Sequence, residues 1–260
     1  MNLNRINTVV LHSWYHLTHS LEVAIDLFWY PTVQFVIFGL IAYFFAQWSH
    51  QQAFIILVGA IFWDLINVGS YTITVGALWE IWSKSFGSMF ITPLTLEEFV
   101  VGQMISGLTK SILVFFLLSF ISLFFYHFSV FQLGIVLPIY FIELLVFSWA
   151  AGMFILGLIF RFGTDVQSLS WSLINIVQPF SAAYYPITVL PESIRWISYF
   201  FPTVYIFETI REQLNTGTIN WSALGIATVF NVLYFLGGYL FIRQMFIWSK
   251  ETGTFARMEQ

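Results

Sequence analysis

The sequence predicts an all-α integral membrane protein: six transmembrane helices, an N-terminal amphipathic helix in the membrane interface, and re-entrant helices on the outer side between spans five and six. Three observations carry this expectation. Of the 260 residues, 59% are hydrophobic and only 8% are charged, whereas an ordinary soluble domain carries about 25% charged residues. A water-soluble fold of this length could not hide so much apolar surface behind a polar exterior, so lipid is the solvent that the composition fits. Secondly, the apolar residues gather into segments near the ~20 residues that a helical span needs. Thirdly, Lys and Arg are distributed unevenly between the two sets of connections, as membrane insertion favours. The 31 Phe, 11 Trp and 12 Tyr agree, since Trp and Tyr favour the membrane–water interface.

The first element lies within residues 1–26. On a helical wheel His12, His16 and His19 share one face, while Ile6, Val10, Trp14, Leu17, Leu21 and Ala24 share another, the pattern of a helix lying in the interface plane. Imidazoles at i, i+4 and i+7 could meet on a metal ion. No carboxylate or Cys completes the set, so a solvated polar face and no metal are expected. With Arg5, three His and no compact apolar run ending in small residues, this N-terminus does not read as a cleavable signal peptide.

Apolar segments follow at 28–46, 54–78, 100–125, 131–160, 167–180 and 221–246. The fourth is long enough to tilt or to include a turn at Pro138. The fifth is short before Pro179, so its span begins earlier or continues past that residue. Six spans put both termini and the loops at 79–98 and 161–166 on one side, with Arg5, Lys84, Arg161, Arg243, Lys250 and Arg257. The other side holds Arg195 and Arg211, and Lys110 falls within a span. Both termini are therefore expected in the cytoplasm, and the whole of 1–260 reads as one membrane domain.

Two connections carry more than a turn requires. In 79–98, Trp82, Phe86, Met89 and Phe90 recur at helical spacing. Pro93 ends the run, and Thr95 with Glu98 forms a capping-box pattern for the next helix. A short amphipathic helix here could be a docking knob for a cytoplasmic partner or an ordinary interfacial helix. The stretch 180–220 is too apolar for a free loop, and Pro186, Pro191 and Pro202 cut it into pieces too short to span. Short helices can start after Pro191 and at Pro202. Irregular backbone at membrane depth must be buried or line a cavity, so paired re-entrant helices are expected, either closing a pathway or acting as a structural plug.

The catalytic inventory is empty. There is no phosphate loop to cradle ATP, no nucleophile elbow and no zinc-protease pair. The absence of Cys excludes disulfides, thiolate chemistry and Cys-bound zinc. A net charge of −4 without any basic cluster argues against nucleic acid. Asn220-Trp221-Ser222 matches a glycosylation sequon, a three-residue signal of little weight. Asp64, Lys110 and Glu143 fall within spans, each about 15–18 Å from its span entry at ~1.5 Å per residue. Charges at that depth face the bundle interior and find partners. Lys110 is therefore expected to pair with Glu143 or Asp64, in a structural role or in a transport or proton-relay role.

This order of elements resembles the permease subunits of type-2 ABC exporters. The resemblance rests most on SFGSMFITPLTLEEFVVGQ at 85–103 and LPESIRWISYFFPTVYIFETIRE at 190–212, and in topology it covers nearly the whole chain. It implies an ATP-driven exporter with no cofactor on this chain, ATP and Mg being held by a partner. Two cytoplasmic ATPase subunits and a second permease chain, identical or a sister, are the implied partners, in a prokaryotic plasma membrane. Glu80, Trp82, Phe86, Met89, Phe90 and Pro93 would form the surface coupled to the ATPase. Pro191, Phe201, Pro202, Thr203, Tyr205 and Glu208 would belong to the outer gate. An amphipathic cargo such as a lipid, a lipid-linked glycan or a drug is implied, although no aromatic ladder for a sugar channel can be assigned. Two other readings stand beside it. A secondary transporter or channel would use Asp64, Lys110 and Glu143, but no inverted duplication relates 28–125 to 131–246. A membrane enzyme or scaffold finds no catalytic set.

Overall fold

The structure, a computed structural model, describes residues 1–253; Arg257, counted above among the cytoplasmic charges, lies outside them. The described residues form helices and turns without a strand. The helices are α1 (Leu3–His19), α2 (Leu21–Ala24), α3 (Tyr30–Ala46), α4 (His50–Trp82), α5 (Phe86–Met89), α6 (Leu96–Tyr126), α7 (Leu137–Phe162), α8 (Leu169–Val177), α9 (Glu192–Ser198), α10 (Pro202–Thr216) and α11 (Trp221–Glu251). A π-helical turn, Ile25–Trp29, joins α2 to α3.

Side-chain oxygens open most of the long helices by accepting from the first free backbone N–H groups. Ser49 caps α4 through Gln52 N, and Asn220 caps α11 through Ala223 N. At α6 the predicted capping box is complete: Glu98 N donates to Thr95 Oγ1 at 3.3 Å, and Thr95 N donates to Glu98 Oε2 at 3.1 Å.

Among the described residues, five helical stretches are long and apolar enough to cross a membrane: Leu21–Ala46, His50–Trp82, Leu96–Tyr126, Val130–Phe162 and Trp221–Glu251. The most apolar window of α4 is 83% buried, against 22–44% for the other four, which makes α4 the central pillar. A helix apolar all round belongs inside a bundle. α6 runs antiparallel to α4, with Phe115 beside Phe62. On another side α7 runs parallel to α4: Ser148 donates to the Ile66 carbonyl at 2.6 Å, and Gly152 packs against Ser70 and Ile73. α3 also packs on α4.

α11 lies parallel to α7. Glu143 meets Thr228 and Asn231, Phe154 stacks on Phe241, and Arg161 lies over Trp248, so both residue numbers rise together. Between the end of α7 and the start of α11 the chain must therefore return to the opposite end of the bundle. It does so along α4. Trp82 Nε1 donates to Gln167 at 3.0 Å and Trp82 stacks on Trp171. Further along, Gly59 faces Ala183, Tyr184 stacks on Phe38, and Tyr185 and Pro186 share a cavity wall with Gln52.

This return, which contains the segment expected as span five, is not one helix. α8 ends at Val177, a 3-10 turn covers Gln178–Phe180, and Ala182 adopts φ 58. Pro179 explains the break, since it removes a backbone donor and crowds the preceding turn. Gly59 is what lets the irregular chain press against the pillar: a Cβ there would collide with the Ala183 carbonyl. Gly59→Val should therefore force α4 and residues 182–184 apart and destabilise the fold by about 1–3 kcal/mol. Gly225→Ala, in open space, should be neutral. Thermal unfolding followed by size exclusion in detergent would compare the two.

Candidate functional site

At the end of the bundle that carries α5, α1 crosses from α6 to α4. Asn2 N donates to Glu98 at 2.7 Å, Arg5 Nη1 donates to the Pro93 carbonyl at 2.5 Å, and His12 Nδ1 lies 2.9 Å from Glu80 Oε1. The face of α1 buried against the bundle is Ile6, Val9, Ser13 and Leu17. It lies nearer the histidines than the apolar stripe read from the sequence, while Leu3, Leu11 and Leu21 stay exposed. His12 and His16 turn toward α4, where Glu80 supplies a carboxylate that α1 lacks, while His12 and His19 stay exposed on the expected polar face. The ligand atoms of His12, His16 and Glu80 lie within 4.8 Å of one another, close enough to admit one metal ion. A cavity of about 660 Å³ opens beside them, between α1 and residues 80–94.

Bonding to Glu80 raises the His12 pKa above its ordinary value, against partial burial. Burial first, and then the charge of His12, lowers that of His16.

The segment after α4 is built around an aromatic knot. Phe86 is fully buried and packs on Phe90, Phe99 and Phe160, while Phe90 also meets Phe246. Of the residues assigned to a docking surface, Glu80, Phe86, Met89 and Phe90 thus face inward, wholly or in part, and that part of the assignment is corrected. The cause is that α5 has a single turn, whose apolar residues fall on the bundle side. Exposed at this corner are Trp82, in part, at the end of α4, and Ile91 (88% exposed), Thr92 and Pro93 after α5.

The three charges read as intramembrane do not pair. Lys110 Nζ donates to Ser13 Oγ of α1 at 2.8 Å. Glu143 accepts from Thr228 at 2.6 Å and from Asn231 Nδ2 at 2.5 Å on α11. Asp64 meets neither of them, and its Oδ2 has no hydrogen-bond partner among the described residues. The expected Lys110 pairing with Glu143 or Asp64 is therefore corrected. It assumed that α6 and α7 form a closed hairpin, whereas α4 wedges between them, and Lys110 and Glu143 each take a partner from the helix their own face meets.

At the other end, α9 and α10 begin after Pro191 and at Pro202 as the sequence predicts. Phe201 caps α10, Pro202 and Thr203 are buried, and the Tyr205 hydroxyl donates to the Tyr199 carbonyl at 2.9 Å. Glu208 Oε1 accepts from Ile187 N at 2.7 Å and meets Arg211 Nη1 at 2.8 Å. Arg211 Nη2 donates to the Ala182 carbonyl at 2.8 Å. Arg211, which the sequence reading used only as a loop charge, is thus a structural member of this group. The sequence reading also missed the polar side chains around Asp64, namely Gln34, Asn67, Ser170 and Asn175, which line one cavity with it. Their only signal was polarity inside segments otherwise apolar.

Residues 25–215 match the membrane family described as ABC-2 type transporter. No curated protein matches the chain.

The His12–Glu80 contact carries a pH dependence of fixed sign. Because the folded-state pKa of His12 is raised, its contribution is complete below about pH 6.5, the ordinary His value, and is lost as pH rises through the folded value. His16, lowered, acts with the opposite sign below about pH 6.5. A spin label at Thr8→Cys, in a chain without native Cys, should gain mobility as pH rises above 6.5 (roughly the unperturbed value). His12→Gln should make the label mobile throughout that range.

Proposed function

Because the chain belongs to the ABC-2 type transporter membrane family, we propose that it is the membrane-spanning subunit of an ATP-driven exporter whose motor is a separate ATPase chain. ATP and Mg would be bound by that ATPase, present in two copies, and a second permease chain, identical or a sister, would complete the transporter. In this reading the chain sits in a prokaryotic plasma membrane with both termini cytoplasmic. The interrupted return along α4 serves as the fifth of six crossings, α1 lies in the inner interface, and α9 with α10 forms re-entrant helices at the outer face.

The observation that carries the reading is the outward corner at the α4–α6 junction. Trp82, Ile91, Thr92 and Pro93 project from it, while the buried Phe86, Phe90 and Phe99 cluster braces it from behind. A corner both exposed and stiff can pass a push to the bundle, and its ties to α1 through Arg5 and Glu80 would carry the same push there. The gate assignment draws support from Glu208 and Arg211, which fasten α10 to the broken return. Movement of α10 would then move the chain against α4. A fold crowded with apolar helices suits an amphipathic cargo: a lipid, a lipid-linked glycan or a drug.

A self-contained secondary transporter or channel would need Asp64, Lys110 and Glu143 along one path. Lys110 bonds to α1 and Glu143 to α11, while Asp64 lines a cavity that contains neither of them, so this second reading has no observation in its favour.

Co-purification with the cognate ATPase tests the motor. Ile91→Asp with Thr92→Asp should abolish association while leaving the chain monodisperse, because both side chains face outward. Phe86→Asp should instead destabilise the chain itself. Full ATPase association by the double variant would remove the docking assignment.

A further inference from the structure

Midway along α4 a cavity of about 350 Å³ opens between the start of α3, α4 and α8. Its chemistry is one-sided. Asp26 and Asp64 both line it, and none of the lining residues is Lys, Arg or His. Asp64 is 97% buried, at 3% exposure, and its Oδ2 has no hydrogen-bond partner. The hydroxyl of Ser170, likewise buried, also lacks a partner. A buried polar atom left unpaired in a low-dielectric site is costly, and such a group in a native fold calls for an explanation, a bound ion or ligand being one. Asn67, Gln34 and Asn175 add further acceptors around the same space.

The surrounding backbone is irregular on both sides of this space. Asp26 sits in the π-helical turn Ile25–Trp29, a distortion frequent at functional sites. Its carboxylate accepts from the Tyr71 hydroxyl at 2.5 Å, which points that side chain along the cavity wall. Opposite it, α8 presents Ser170 and Asn175 just before the helix breaks. The mouth is aromatic: Tyr30 and Trp171 line it and are both exposed on the surface of the chain.

We propose that this cavity binds the headgroup of a cation-headed amphiphile, an alkylammonium in the simplest case, with its tail left in the surrounding lipid. This rests on the reading that the chain transports an amphiphile, and it narrows the cargo to a chemical class. Two carboxylates without a counter-charge select for positive charge. Exposed Trp and Tyr faces at the mouth add cation–π attraction. The volume is at the small end of ligand sites, which run from about 300 to 1,000 Å³. It suits a headgroup and excludes an oligosaccharide.

The test is equilibrium binding of radiolabelled dodecyltrimethylammonium to the purified chain in phosphatidylcholine nanodiscs. Saturable binding is expected. Asp64→Asn should weaken it at least tenfold. Asp26→Asn, which keeps an acceptor for Tyr71 and so should fold normally, should weaken it severalfold. Glu192→Gln, on a remote exposed turn, should leave it unchanged. Binding that fails to saturate, that is equal in the wild type and both Asp variants, or that dodecyl maltoside competes away as well as the unlabelled cation does, would overturn the proposal. The ATPase is absent from this measurement. Failure of motor docking would therefore leave cation binding intact, and Asp-independent binding would leave motor docking intact.

Discussion

A backbone N–H or C=O buried inside an apolar bundle has no water to turn to, so each must be satisfied within the protein. The return of the chain along α4 is where this constraint is hardest to meet, because Pro179 and the left-handed Ala182 interrupt the helix that would otherwise meet it. Side chains take over the task. Arg211 donates to the Ala182 carbonyl, Glu208 accepts from Ile187 N, Ser181 accepts from Ala183 N, and the Tyr185 hydroxyl donates to the Pro179 carbonyl. Just beyond, Arg195 donates to the carbonyls of Thr188 and Leu190. The break can exist because α10 supplies a charged pair to hold it and Gly59 leaves it room against the pillar. A broken segment fastened in this way couples three elements, α4, α8 and α10, that a continuous helix would have left independent.

The opposite end solves a different problem. α5 is one turn long and cannot hold itself together, since an isolated turn gains too few hydrogen bonds for the residues it fixes. Phe86 and Phe90 anchor it in an aromatic cluster, and the Thr95–Glu98 capping box starts α6 firmly. Glu98 serves twice, as it also accepts from Asn2 N, so the start of α6 and the start of α1 are locked by one carboxylate. The stiffness of this end and the irregularity of the return meet on α4, with the Asp64 cavity between them.

Much of this organisation was legible in the sequence for a physical reason. Long apolar segments, proline positions and the T-x-x-E box are local features whose consequences are enforced by lipid or by the first turn of a helix. Five of the six expected spans are long helices, and these, the start of α9 after Pro191 and of α10 at Pro202, and the capping box all follow from them. The charged sites were less legible. Lys110, Glu143 and Asp64 announce by their depth that each needs a partner, but which one depends on which helix lies beside which. The hairpin of α6 and α7 suggested by their order is split by α4. His12 and Glu80 are far apart in the sequence and meet only because α1 folds back across the bundle.

By itself, then, the sequence determined the solvent, the lengths of the helices and the places where they must start or break, because these follow from composition and from short-range stereochemistry. The tertiary structure alone decided which faces are buried. It turned Phe86 inward and Ile91 outward within a few residues, gave Lys110 and Glu143 partners on other helices, and gathered Asp26, Asp64 and Ser170 from three segments around one cavity. Such pairings depend on the packing of helices against one another, and a linear sequence records the face of a helix without recording what that face will meet.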